Sequence, residues 1–212
     1  MMEIYTIGYV SYTPEEMIKV LWAFGISCLI DVRSSPYSAY YKQFDRDILS
    51  KKLREAGIIY RNYAREFGAR QEDLRFFSDE GYLDFDLFTR SEQFHEGVDK
   101  VRKGMKLGYT FALMCAEKDP MTCHRAIMIG KNLKEQGFRV RHILYPDQIE
   151  TQEEMEQRAI GNQLSFFPEE RIADFYREQN RKIGYRSVMG KVEISDERDH
   201  EFGSVLGDPK DC

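Results

Sequence analysis

The first 32 residues predict a helix between two strands, and this constrains the fold more than any other feature of the sequence. Residues 3–9 (EIYTIGY) have the alternation of a strand, and residues 27–32 (SCLIDV) form the apolar run of a buried strand. Between them, residues 13–16 (TPEE) have the composition of a helix N-terminus, and Gly25 ends the helical spacing. Because a helical crossover joins parallel strands, this unit predicts an α/β protein.

The same alternation continues through the middle of the chain. Apolar spacing and terminal glycines predict helices over 46–56, 91–103 and 124–136, and strands over 58–60, 109–115 and 139–145. Residues 64–90 have no clear period, and acidic helical segments follow over 151–160 and 169–182.

We therefore expect one α/β domain over residues 1–188, with a mostly parallel open sheet flanked by helices in Rossmann-like layers. Residues 150–188 of this domain would be a helical extension. Residues 189–212 are polar with little periodicity, which predicts a disordered, flexible tail.

The sequence composition indicates the cellular compartment in which the protein works. The apolar runs are far shorter than the roughly 20 residues of a membrane helix, and the N-terminus lacks the pattern of a secretory signal. The four cysteines are too few and too scattered for a disulfide framework. We therefore expect a cytoplasmic protein with no membrane partner.

The net charge of −5 is unevenly distributed along the chain. Residues 100–145 carry ten Lys/Arg against three Asp/Glu, a balance of +7. A basic segment in an acidic protein suggests a small anionic ligand nearby, although it is also typical of a solvated helix face.

Three stretches of unusual composition follow predicted strands: Gly8-Tyr9, residues 33–38 (RSSPYS) and residues 115–125 (CAEKDPMTCHR). In an open parallel sheet, ligands bind beyond the carboxyl ends of the strands. We therefore expect these three stretches to form one site.

One interpretation of the site is anion binding. A helix N-terminus attracts anions, and Arg33 and Arg125 could form a clamp on phosphate or carboxylate. The alternative is structural, with Arg33 paired to Glu117 or Asp31. The candidate ligand-binding residues are Tyr9, Arg33, Ser34, Ser35, Tyr37, Cys115 and Arg125.

Two further interpretations involve the cysteines. Cys123 lies beside His124 and Arg125, which would favour its thiolate, so Glu117, Cys123 and His124 are the catalytic candidates. Cys115, Cys123 and His124 could instead bind zinc, with a fourth ligand from Cys28 or His142, but paired Cys-x2-Cys spacing is missing. Buried, inert cysteines are the third alternative. The sequence does not require any cofactor.

A second motif lies outside this site. Residues 163–167 (QLSFF) resemble the bacterial sliding-clamp-binding pentapeptide, with Phe166 where leucine is usual. Gln163, Leu164, Phe166 and Phe167 would bind an apolar cleft of the clamp, unless they pack against their own domain. Direct binding of nucleic acid is conceivable through the basic segment, but the pI of about 5.5 argues against it.

The motifs TIGY, DVRSSPYS and LMCAEKDPMTCHR resemble those of the domain-of-unknown-function 488 family, over roughly residues 3–188. The resemblance implies an α/β fold and no established reaction. Family members often have two adjacent glycines where this chain has Gly68-Ala69.

Our leading hypothesis is a cytoplasmic enzyme that binds a phosphate-bearing or nucleotide-like ligand at the strand carboxyl ends. The alternative is a non-catalytic adaptor for DNA replication or repair that uses the pentapeptide.

Overall fold

A computed structural model describes residues 2–161 and 168–186. Within these residues, six strands form one sheet: β1 Met2–Gly8, β2 Cys28–Asp31, β3 Ile59–Asn62, β4 Phe111–Cys115, β5 Phe138–Leu144 and β6 Gln148–Thr151. The strand order is β3-β2-β4-β1-β5-β6. The first five strands are parallel and β6 is antiparallel to β5, which confirms the predicted mostly parallel α/β sheet.

The helices flank this sheet. They are α1 Pro14–Ala23, α2 Arg46–Glu55, the short α3 Ala64–Phe67 and α4 Phe85–Phe88, α5 Glu92–Lys106, α6 Lys131–Glu135, α7 Gln152–Ile160 and α8 Pro168–Ile183. A π-helix, Arg125–Gly130, leads directly into α6. The helix N-terminus predicted at residues 13–16 is confirmed, and it contains a capping box in which the side chains of Thr13 and Glu16 each accept from the other's backbone N–H group. Among the described residues, no helix is long and apolar enough to cross a membrane.

Two apolar cores lie on opposite faces of the sheet, since successive side chains of a strand point to opposite sides. Ile4 of β1 and Ile30 of β2 belong to the core that contains α5, the π-helix and α8. Ile7 and Leu29 belong to the other core, which contains α1 and α2.

The structure differs from the sequence-based expectation in two elements. Strand β6 was not predicted, because its four residues include one apolar side chain, Ile149, and cannot show a period. The helix predicted over 124–136 is a π-helix in its first part, and all six of its residues are buried. Helices α7 and α8 occupy the predicted extension, and residues 189–212 lie outside the described residues.

The strand register brings the predicted site together. Gly8 at the end of β1 pairs with Cys115 at the end of β4, and Asp31 at the end of β2 pairs with Met114. The three stretches of unusual composition therefore begin at neighbouring strand ends.

Gly8 is in close contact with the loop that follows β4. A Cβ atom at position 8 would lie 1.8 Å from the carbonyl oxygen of Glu117 and 3.2 Å from Nη2 of Arg125. The backbone angle φ of Gly8 is −105°, which any residue adopts. Space, and not backbone conformation, therefore requires glycine here.

We expect Gly8→Ala to lower the free energy of unfolding by about 3 kcal/mol, because the loop has to move away from the new methyl group. Gly25→Ala is the control: its φ of 63° makes alanine strained, by about 1 kcal/mol, yet a Cβ there meets no described atom within 4 Å. Urea denaturation measures both losses. Equal losses would show that the loop yields freely and that the packing at Gly8 is loose.

Candidate functional site

A cleft of about 490 Å³ opens at the carboxyl ends of β1, β2 and β4. Eight of the predicted site residues line it: Tyr9, Arg33, Ser34, Ser35, Tyr37, Cys115, Glu117 and His124. Cys123 and Arg125 do not line the cleft, and both are fully buried. The fold therefore brings eight predicted residues to one cleft, where they make up about half of its lining.

Several cleft residues were missed. Arg70 comes from the segment without clear periodicity, and Ile183 and Tyr185 come from the end of α8 and beyond. The turn before Arg70 is tied to the site, because the Arg70 backbone N–H donates to Oγ of Ser34 over 2.8 Å. The family difference at Gly68-Ala69 was the available signal, since Ala69 itself lines the cleft.

Four side chains converge at the floor of the cleft. Both sulfur atoms, of Cys115 and Cys123, lie within hydrogen-bonding distance of Oε2 of Glu117, at 3.0 and 2.9 Å. Nδ1 of His124 lies 3.7 Å from the sulfur of Cys115 and 4.0 Å from that of Cys123. The two sulfur atoms and a ring nitrogen of His124 lie within 4.8 Å of one another, which is close enough to bind one metal ion.

The orientation of His124 is set from outside this cluster. Its Nε2 lies 3.0 Å from the carbonyl oxygen of Val32, the residue after β2. A carbonyl oxygen only accepts, so Nε2 carries the proton. In neutral His124 the lone pair of Nδ1 therefore points at the two sulfur atoms, as in a metal-binding histidine.

The four groups shift one another's pKa values. The hydrogen bond to Cys123, together with burial, raises the pKa of the Cys115 thiol well above its ordinary value. Burial also opposes ionisation of Cys123, but the hydrogen bond with Cys115 and the charge of Arg125 outweigh it and lower the pKa of Cys123. Burial and the Cys123 thiolate raise the pKa of Glu117. Burial lowers the pKa of His124, but Cys123 outweighs this and raises it.

Of the two thiols, Cys123 is therefore the one that ionises more readily. Protons on the neighbouring groups surround it in the absence of a cation. A metal ion at the same place would replace those protons, because thiols lose their protons when they bind metal.

Neither residue considered for a fourth ligand belongs to this group. Cys28 begins β2 and pairs with Phe111, at the other end of the strands. Both ring nitrogens of His142 are hydrogen-bonded elsewhere, to Thr6 and Gln152. Glu117 is the acidic group next to the cysteines instead.

Arg125 supports the loop from behind. Its Nη1 donates to the carbonyl oxygen of Glu117 over 2.7 Å, and its Nη2 donates to that of Lys118 over 3.2 Å. Its Nε donates to Oγ1 of Thr6 over 3.3 Å. The guanidinium thus fixes the loop backbone, and it is not exposed in the cleft as a clamp.

Arg33 forms the ion pair that the sequence left open. Its Nε and Nη2 donate to the two carboxylate oxygens of Asp31 over 2.9 and 2.6 Å. Burial favours neutral Arg33, but Asp31 outweighs this and raises the pKa of the guanidinium. The buried Nη1 finds no hydrogen-bond partner among the described residues. Arg33 lines the cleft, but this donor is buried inside the cleft wall.

A model of the protein family described as Domain of unknown function DUF488 matches residues 13–131. This segment contains the whole cluster at the cleft floor but not β1, β5 or the helices α7 and α8. Comparisons with curated proteins and with solved structures gave no match. The pentapeptide residues Gln163, Leu164, Phe166 and Phe167 lie outside the described residues.

The buried His142 should make the stability of the protein depend on pH. Burial, with help from the nearby Arg125, lowers its pKa to about 3. The unfolded chain binds a proton near the ordinary value of about 6.5, whereas the folded protein does not, so stability is complete above this pH and falls below it. From pH 8 to pH 5 we expect His142 to account for a loss of about 2 kcal/mol.

The comparison with His142→Gln isolates this contribution, because glutamine cannot titrate and can still donate to Gln152. Urea denaturation of both proteins at pH 8 and pH 5 gives the two losses. The variant should lose less stability than the wild type over this range. Equal losses would mean that His142 is protonated in the folded protein at pH 5.

Proposed function

The chain belongs to the DUF488 family, whose description assigns no activity, and we propose that it is a cytoplasmic zinc enzyme that acts on a small anionic ligand. One observation carries the proposal: the sulfur atoms of Cys115 and Cys123 and Nδ1 of His124 face one another beneath an open cleft. Zinc prefers such ligands, and the reducing cytoplasm keeps both thiols available.

The distances suit a tetrahedral zinc site. With Zn–S near 2.3 Å and Zn–N near 2.0–2.1 Å, tetrahedral angles separate sulfur from nitrogen by about 3.6 Å. The two separations here are 3.7 and 4.0 Å. The two sulfur–nitrogen separations would therefore need to shorten by at most a few tenths of an ångström.

Three protein ligands leave the fourth position of zinc to water, which is the usual arrangement of catalytic sites. The bound metal would supply acidity to that water. Glu117 lies beside both cysteines and lines the cleft, so its carboxylate is placed to take the water proton. This combination supports a hydrolytic reaction.

The anionic part of the ligand is assigned to Arg33. Arg33 lines the cleft, and the serine hydroxyl groups of residues 34, 35 and 38 are further donors there. Arg70 adds a second positive charge at the rim. Phosphate suits such donors, and Tyr37 and Tyr185 offer rings against which a nucleotide base could stack.

Zinc binding is the first test of this proposal. Protein purified without chelator and mixed with zinc should retain about one ion per chain, measured by elemental analysis after gel filtration. Cys115→Ser and Cys123→Ser should each lose most of it, because a hydroxyl is a poor zinc ligand at neutral pH.

Cys28→Ser is the matched control, since Cys28 is also buried but lies at the other end of the sheet. Burial raises the pKa of Cys28 to about 11, so its thiol stays protonated. The proposed site would be ruled out if all three variants retained zinc. It would also be ruled out if the wild type bound none. The thiol interpretation would then lead.

Anion binding is the second test. In the zinc-loaded protein, Arg33→Lys should weaken binding of inorganic phosphate by about tenfold, because lysine keeps a charge near Asp31 but lacks the planar guanidinium with its several donors. Calorimetric titration measures the affinity. Arg61→Lys is the control, since Arg61 is exposed on β3 and does not line the cleft. Equal affinities in the wild type and Arg33→Lys would remove Arg33 from the ligand site.

A further inference from the structure

We infer that α7 and α8, which lie beyond the family-matched segment, position the loop that bears the zinc site through a buried chain of hydrogen bonds. The positioning residues are Thr6, His142, Gln152 and Tyr176. The inference deepens the proposed function and rests on it for the role of the loop, but the loop contacts themselves do not depend on zinc.

The chain of hydrogen bonds begins at Arg125, which holds the loop. Nε of Arg125 donates to Oγ1 of Thr6, and Oγ1 of Thr6 lies 2.8 Å from Nδ1 of His142. Nε2 of His142 lies 2.8 Å from Oε1 of Gln152, at the start of α7. Nε2 of Gln152 donates to the hydroxyl of Tyr176 in α8 over 2.7 Å.

The direction of each bond is fixed by its neighbours. Nε2 of Gln152 also donates to the carbonyl oxygen of Ala126 over 3.1 Å, so the amide oxygen must face His142. Nε2 of His142 therefore carries the proton, and Nδ1 accepts from the Thr6 hydroxyl. That leaves the oxygen of Thr6 to accept from Arg125.

The far end of this chain of hydrogen bonds, at Tyr176, is also held in place. The hydroxyl of Tyr176 donates to Oε1 of Glu156 over 2.7 Å, and Glu156 forms a salt bridge with Lys134. Glu156 is 4% exposed and Tyr176 is 6% exposed, so water does not substitute readily for these bonds.

The π-helix leaves room for this chain of hydrogen bonds at Gly130. A Cβ atom on Gly130 would lie 2.4 Å from Oε1 of Gln152, so only glycine leaves room for the amide. Gln152 thus touches the helix that carries Arg125 at two places, through Ala126 and beside Gly130. A change in α7 or α8 has a direct route to the loop.

Hydrogen exchange of residues 116–124 in the metal-free protein tests the inference. Thr6→Val should speed exchange in this segment by about tenfold, because Arg125 and His142 both lose a partner. Thr6→Ser should restore the wild-type rate. Tyr176→Phe, at the far end, should also speed exchange, because Gln152 and Glu156 both lose the hydroxyl.

Tyr5→Phe is the matched control, since it removes a tyrosine hydroxyl on the opposite face of β1 that takes no part in the chain of hydrogen bonds. Acceleration confined to residues 116–124 in Thr6→Val and Tyr176→Phe supports the inference. Unchanged exchange there, or equal acceleration throughout the protein, overturns it. Zinc content of the wild type is measured separately, so loss of the proposed function and loss of this inference give different results.

Discussion

The buried guanidinium of Arg125 is the interaction on which the rest of the site depends. Arg125 is fully buried, and it donates to neutral oxygen atoms of Thr6, Glu117 and Lys118. A buried charge without acceptors is strongly unfavourable, so these oxygen atoms have to stay where they are. The loop after β4 is thereby held in one conformation, and the thiols, Glu117 and His124 are held with it.

The charge of Arg125 also bears on the kind of ligand. Zinc with two thiolates and a neutral histidine has no net charge, and Arg33 is already balanced by Asp31. In the proposed zinc-bound state the carboxylate of Glu117 would balance the charge of Arg125, whose guanidinium donates to the backbone of the same residue. An anionic ligand would therefore be bound by the donors that line the cleft, and not by an unbalanced charge behind it.

The sequence predicted the parts of the molecule that have a local signal. The capping residues at Thr13 and the apolar strands were sufficient for the α/β sheet, and the motifs at three strand ends named about half of the residues that line the cleft. Contacts between distant segments have no local signal. Glu117 was considered as an acid or base, but its position between two sulfur atoms depends on how the loop closes over Gly8.

The residues behind the cleft were beyond sequence reasoning for the same reason. His142 was considered as a metal ligand because histidines bind metals, and it is instead a neutral link between Thr6 and Gln152. Gln152 looks like an ordinary first residue of a helix. Its role depends on the absence of a side chain at Gly130, in the π-helix. The fit between Gln152 and Gly130 arises from packing in the folded protein, which the periodicity of the sequence does not reveal.

The strand order has a consequence for how the protein folds as it is made. β1 lies in the middle of the sheet, between β4 and β5, so it is made more than a hundred residues before the strands with which it pairs. Before that, only β2 and β3 can pair with each other. The pairing of β1 joins segments that are distant in sequence, and pairing of this kind is slow. Until β4 is complete, β1 has no strand with which to pair. The reactive cluster follows β4 directly, so it can assemble only with the step that joins β1 to β2 through β4.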